Sequence, residues 1–174
     1  YHGDGIPIKD DVMQYLSYMG VGYIRTDWHY KEFSDSTGAY AVTPAESIPE
    51  DLGKYKIKTM PIFIPKDIKG SVFWKIPKEY EIAVKWMEEA AKALNGRVEA
   101  VEMYNEIDLH DTPEGITNLY KRIYPILKKA GPDIEYVGLA YARKEYSWLK
   151  KFLDAGGGDY MDKFSVHHYD YKTS

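Results

Sequence analysis

Apolar and polar positions follow two alternating periods along this chain, and the switches between them mark its elements. Over residues 9–20, Val12, Tyr15, Leu16 and Met19 recur at three- and four-residue spacing, the signature of one helix face. Asp10 and Asp11 suit a first turn and Gly20 suits an end. Residues 21–27 are rich in β-formers and read as a strand. A polar stretch over residues 34–43 reads as a loop. A short helix is expected near 49–54, since proline is tolerated in a first turn. Residues 57–64, IKTMPIFI, read as a buried strand. Pro61 cannot donate to a ladder, so a bulge or an unpaired position is expected there.

Residues 78–95 carry the clearest helical pattern. Ile82, Trp86, Ala90 and Leu94 line one stripe, and Asn95-Gly96 supplies a stop. A strand follows in the stretch RVEAVEMYNEIDLH, residues 97–110. Thr112, Pro113 and Glu114 then stand in the order of N-cap, first-turn proline and acidic residue. The helix they open carries Ile116, Leu119, Tyr120, Ile123 and Leu127 on one side, with a kink expected at Pro125. Residues 134–140 read as a strand. Residues 146–153 read as a helix with Leu149, Phe152 and Leu153 inward. Residues 163–169, KFSVHHY, read as a last strand, and YHGDG at residues 1–5 as the tail of another.

Strands therefore recur near residues 22, 57, 98, 134 and 163, with helices in most of the gaps. Such alternation means parallel βα units. Right-handed crossovers leave an open doubly wound sheet or a (β/α)₈ barrel. No Gly-x-Gly-x-x-Gly turn and no phosphate loop is present, which weakens a nucleotide-binding open sheet. Polar residues at the ends of several strands favour the barrel. A barrel needs roughly 200 residues or more. The 174 residues are therefore read as one unit, the N-terminal part of a (β/α)₈ catalytic domain, about strands one/two to six.

Composition narrows the function classes. A formal net charge of −4 argues against a role driven by phosphate contacts with nucleic acid. No apolar run is long enough for a membrane helix, and the first residues do not read as a signal peptide. The absence of cysteine excludes thiol catalysis and disulfides. Seventeen tyrosines and four tryptophans offer flat apolar faces of the kind that suit sugar rings, although aromatics also pack in any core.

The candidate chemistry lies at four strand ends. The first carries Arg25, Asp27, Trp28 and His29; the third, Asn105, Glu106 and Asp108; the fourth, Tyr141 and Arg143; the last, His167, His168 and Tyr169. His167 and His168 are adjacent on a strand and should face opposite ways. No His-x-His or His-Glu-x-x-His spacing is present, so neither a metal site nor any other cofactor is expected. Glu106 reads either as a catalytic acid or as a structural carboxylate. Arg25 reads either as a pocket residue or as the partner of an acidic neighbour. Asp27 reads as sugar-binding or as part of a local ion pair. Trp28 reads as a sugar platform or a packed ring. Glu102, inside its strand, reads as structural or sugar-binding.

Taken together, EMYNEID, KFSVHHYDY and YIRTDWHYKEF resemble the fourth, sixth and second strands of clan A glycoside hydrolases, of the family 39 and family 5 kind. The likeness runs through nearly the whole chain and is weakest at residues 34–56. It implies a retaining hydrolase of β-linked sugars with Glu106 as general acid/base. An acid working near neutral pH needs a carboxyl pKa raised by burial or a nearby negative charge. Asn105 then matches the contact to the sugar 2-hydroxyl. Arg25 matches the arginine that keeps the nucleophile ionised. Tyr169 matches its hydrogen-bond partner, and His167 a sugar contact. The resemblance also favours an extracellular or periplasmic site of action.

The family's nucleophile is a glutamate at the end of strand seven, and no strand follows residue 169 here. Retention needs two carboxylates about 5–5.5 Å apart. The expectation is therefore that this chain alone is inactive, and that it works with a complementary C-terminal fragment or self-associates through open sheet edges. The alternative is a carbohydrate-binding or pseudoenzyme barrel without hydrolytic activity. A metal-dependent α/β enzyme is a third class.

Overall fold

The computed structural model describes residues 10–29, 52–64 and 73–168. The strand tail at residues 1–5, the loop at 34–43, most of the loop before Trp74 and Tyr169 lie outside the described residues. Five strands make one parallel sheet: β1 (Tyr23–His29), β2 (Lys58–Ile64), β3 (Ala100–Glu102), β4 (Glu135–Tyr141) and β5 (Lys163–Val166). Their spatial order is their sequence order. That order decides between the two candidate architectures. A doubly wound sheet reverses direction at a switch point. A sheet that adds each strand on the same side, by right-handed crossovers, puts every helix on one face and curls. The chain is accordingly a partial (β/α)₈ barrel, a curled half-barrel with helices outside.

Among the described residues four α-helices accompany the sheet: α1 (Asp10–Tyr18), α2 (Pro77–Leu94), α3 (Pro113–Ala130) and α4 (Tyr146–Asp154). In α2, Trp86, Ala90 and Leu94 are buried as their spacing requires, together with Ala83, Val84, Met87 and Ala91. Phe63 of β2 meets Trp86 edge to face at 5.5 Å between ring centres, a contact contributing about 0.5–1.5 kcal/mol beyond area burial. In α3 the Thr112 side chain accepts from Gly115 N at 3.1 Å, the cap read from sequence, and the helix continues through Pro125, which lies exposed. In α4 the inward residues are Trp148 and Phe152, stacked at 5.8 Å. Leu153, expected inward, is 53% exposed. The face is set by Trp148, whose ring packs between Tyr141 and Phe152 and turns Leu153 outward.

Pro61 sits in an unbroken one-for-one register between β1 and β2, opposite Thr26, with no bulge. The neighbouring ladder is short instead, since β2 and β3 pair only at Ile62 and Glu102. The bulge of this sheet lies in β4. There the register to β5 shifts between Gly138 and Tyr141, and Leu139 and Ala140 hold φ of +70° and +46°. A bulge orphans backbone donors inside the sheet, and buried donors need partners. Leu139 N donates to the buried Tyr120 hydroxyl at 2.9 Å. Ala140 N donates to Ser165 Oγ at 3.1 Å. Burial pushes the Tyr120 phenol far up, so it stays protonated and available for this role.

Candidate active site

The polar side chains at the carboxyl ends of the strands form two linked groups. The first is built on the inner face of the sheet. Arg25 of β1, Glu102 of β3 and Ser165 of β5 all point inward by strand alternation. Arg25 Nε donates to Glu102 Oε2 at 2.6 Å, and Ser165 Oγ donates to Glu102 Oε1 at 2.5 Å. Glu102 is 1% exposed, so both of its oxygens need such partners. Arg25 then reaches upward, and its Nη2 donates to Asn105 Oδ1 at 2.7 Å.

The second group begins one residue later. Glu106 follows Asn105 in the left-handed region, at φ +48° and ψ +41°. That conformation costs a non-glycine residue roughly 1–3 kcal/mol. It turns the loop after β3 into a short 3₁₀ helix (Ile107–Leu109) and sets the Glu106 side chain against the chain just beyond β5. Glu106 Oε1 lies 2.9 Å from His167 Nδ1, with side chains 20% and 18% exposed. His168 is exposed, so the two histidines do diverge. The contact partner of His167 is the carboxylate expected to do acid/base work.

The other strand-end residues form a brace. Asp108 is fully buried and accepts from Ala142 N at 3.2 Å and Arg143 N at 2.8 Å. Arg143 Nε donates back to Asp108 O at 2.6 Å. Tyr141 turns its hydroxyl to Glu145 O at 2.7 Å. Asp108 and Arg143 thus tie the loop after β3 to the loop after β4, and Tyr141 closes the second loop on itself. Tyr104 packs edge-on against Trp74 at 5.7 Å and His110 at 6.3 Å. Trp74 Nε1 donates to Asp111 Oδ2 at 2.8 Å. Burial alone would push the Asp111 carboxyl up. The hydrogen bonds from Trp74 and Thr112 and the Lys75 ammonium outweigh it and hold the carboxyl low. Asp27 and Trp28 belong to β1 by backbone; their side chains lie outside the described residues, as does Tyr169.

Sequence reasoning left Glu102 open between two roles and missed Ser165. The available signal was strand alternation. A carboxylate at an inward position of an otherwise apolar strand must meet a cation or donors across the sheet. The structure makes Glu102 the partner of Arg25. Among the described residues no group of three or more His, Asp or Glu stands together as metal ligands. An open cleft of about 980 Å³ lies at the opposite end of the strands, lined by Tyr23, Lys58, Glu99, Glu135 and Lys163 among others. Among its charges, Lys58 pairs with Glu99 and Lys163 with Glu135. In barrels that face serves stability, and chemistry sits at the other.

No family model and no curated protein matches the chain. Solved structures do. A family 39 glycoside hydrolase from the gut symbiont Bacteroides cellulosilyticus WH2 is 23% identical, with a TM-score of 0.66, over 97% of this chain and 38% of its own. A glycoside hydrolase family 5 enzyme from Prevotella bryantii B14 is 14% identical, with a TM-score of 0.60, over 95% and 55%. An endo-1,4-beta-mannanase from Eisenia fetida is 12% identical, with a TM-score of 0.58, over 93% and 61%. The chain therefore spans between about two fifths and three fifths of these proteins' lengths, and it shares the fold of known clan A glycoside hydrolases.

The brace carries a test. Replacing Asp108 by alanine leaves the half-buried Ala142 and Arg143 amides without their acceptor. Urea unfolding is expected to register a loss of about 2–4 kcal/mol for Asp108→Ala, and a clearly smaller loss for Asp108→Asn, which keeps one acceptor oxygen. A loss under about 0.5 kcal/mol for alanine would show that Asp108 does not hold the two loops together.

Proposed function

We propose that these strand ends are the acid/base side of a retaining glycoside hydrolase acting on β-linked sugars. Glu106 is the general acid/base: it protonates the departing glycosidic oxygen and later takes the proton of the incoming water. Asn105 contacts the sugar 2-hydroxyl. Arg25, His167, Asp27, Trp28 and Tyr169 complete the sugar-facing set, with Tyr169 and Arg25 directed to the nucleophile. The nucleophile is assigned to a glutamate at the end of a seventh strand, which these 174 residues do not include. In this reading the chain is the N-terminal part of a (β/α)₈ catalytic domain.

One observation carries the reading. Glu106, itself in the left-handed region just past the end of β3, is held 2.9 Å from His167 Nδ1, directly beside an asparagine pinned by Arg25. A structural carboxylate of the Asp108 kind, fully buried and saturated by backbone amides, needs none of this. The named activities of the structural neighbours point the same way.

Among the described residues β1 and β5 are the two edges of the sheet, and Phe164 and Val166 on β5 are 43% and 58% exposed. Unpaired edges with apolar side chains recruit further strands. We assign to them either a complementary C-terminal fragment or a second copy of the chain. Size-exclusion chromatography with light scattering is expected to find an oligomer, or a complex once a fragment carrying the remaining strands is added. A stable, well-folded monomer that ignores the fragment would contradict this.

For the chemistry, the barrel completed with its remaining strands is the object to assay. Glu106→Gln is expected to lower turnover of a substrate with a poor leaving group by roughly 10²–10⁴-fold, while binding persists. Unchanged turnover would remove Glu106 from the acid/base role.

A further inference from the structure

We propose that Glu102 is a positioning residue that fixes which end of the Asn105 amide faces a bound sugar, and so makes the site selective for an acceptor oxygen at that position. The ligand's identity as a sugar rests on the reading above; the positioning itself does not.

An asparagine side chain offers one acceptor and one donor end of nearly the same shape. Left alone at the mouth of a pocket, it can present either. Arginine has donors only. A 2.7 Å contact from Arg25 Nη2 therefore requires the Asn105 oxygen on that side. The two amide hydrogens are turned away from Arg25.

Arg25 alone would be a loose clamp, because its side chain has several rotatable bonds. Its Nε is fixed at 2.6 Å from Glu102 Oε2, so the guanidinium gives its Nε to Glu102 and its Nη2 to Asn105. Glu102 in turn has little freedom. It is 1% exposed, and its second oxygen is held by Ser165 Oγ at 2.5 Å. Ser165 is fixed by the β4 bulge, whose Ala140 N–H it accepts at 3.1 Å. The amide orientation at the site is thus set by a continuous series of contacts running from the bulge through Ser165, Glu102 and Arg25.

The consequence is a chemical preference. The group opposite Asn105 must accept a hydrogen bond and tolerate the neighbouring guanidinium charge. A neutral hydroxyl at sugar C2 does both. A 2-ammonium group can do neither, and a 2-deoxy sugar leaves the amide hydrogens unpaired.

The test uses the full chain labelled with ¹⁵N, as wild type and as Glu102→Gln, Glu102→Ala and Arg25→Lys. Without ligand, the wild type is expected to give a distinct, slowly exchanging Arg25 Nε–H signal and one well-defined Asn105 side-chain NH₂ pair. Glu102→Gln, whose carbonyl can still accept from Arg25, is expected to retain both. In Glu102→Ala the Arg25 signal is expected to exchange with solvent and the Asn105 pair to shift or broaden. Arg25→Lys covers the case in which the alanine variant fails to fold. Lysine can pair with Glu102 but lacks the second fork, so the Asn105 pair is again expected to move.

The ligand arm titrates methyl β-D-xyloside, β-D-glucoside and β-D-mannoside against their 2-deoxy and 2-amino-2-deoxy counterparts. The wild type and Glu102→Gln are expected to prefer the 2-hydroxy sugars by roughly tenfold, the scale of one hydrogen bond. Glu102→Ala or Arg25→Lys is expected to reduce that preference to within about threefold. Unmoved Asn105 signals in those two variants would overturn the positioning role. Binding of no glycoside by the wild type would count against the glycosidase reading, and the ligand-free signals would still decide this proposal.

Discussion

An ionised carboxylate inside a protein is stable only with a cation and hydrogen bonds around it, and Glu102 has both. Losing its partner would leave a buried charge alone, at a cost of roughly 3–5 kcal/mol. That penalty explains why three separate strands are committed to it. Arg25 comes from β1, Glu102 from β3 and Ser165 from β5, which span the sheet from edge to edge. The inner face of the half-barrel is therefore cross-tied by polar contacts, while its outer face is held by the apolar packing of α2, α3 and α4. The rest of the site hangs from this tie. Arg25 carries Asn105, and Asn105 stands next to Glu106.

Two irregularities of the backbone make the arrangement possible. The β4 bulge frees the Ala140 amide, which Ser165 takes up. The left-handed Glu106, in the loop after β3, opens the 3₁₀ turn and directs its side chain to His167. Both positions are occupied by residues other than glycine, so the strain must be offset by the contacts around them. In the bulge those contacts are the Tyr120 hydroxyl and Ser165. Beneath Glu106 they are the wholly buried Ile107 and the Asp108 brace.

Much of this was legible in the residues. The helical stripe of Trp86, Ala90 and Leu94, the Thr112 cap and the parallel order of strands follow from periodicity and punctuation, which are local. Convergence of the strand ends on one mouth was expected on the same grounds, but the pairing of Arg25 with Asn105 and of Glu106 with His167 was not. What was not legible is non-local or depends on a choice among near-equal faces. Leu153 and Trp148 compete for the inside of α4, and the larger ring, with Tyr141 and Phe152 as neighbours, takes it. Pro61 needed no bulge, because the β2–β3 ladder beside it is a single pair. The one local signal of the β4 bulge is Gly138 inside an otherwise apolar strand; Leu139 and Ala140, which take the positive φ, carry none.

The central claim is that Glu106 and Asn105 face the scissile bond from one side of a sugar site. A crystal structure of the chain, completed with its remaining strands and soaked with a slowly cleaved β-glycoside, tests it most directly. The expected result is the glycosidic oxygen within about 3.2 Å of the Glu106 carboxyl, with the sugar 2-hydroxyl on the amide hydrogens of Asn105. A sugar seated in the cleft at the other end of the strands, among Lys58, Glu99 and Glu135, with Glu106 untouched, would contradict it.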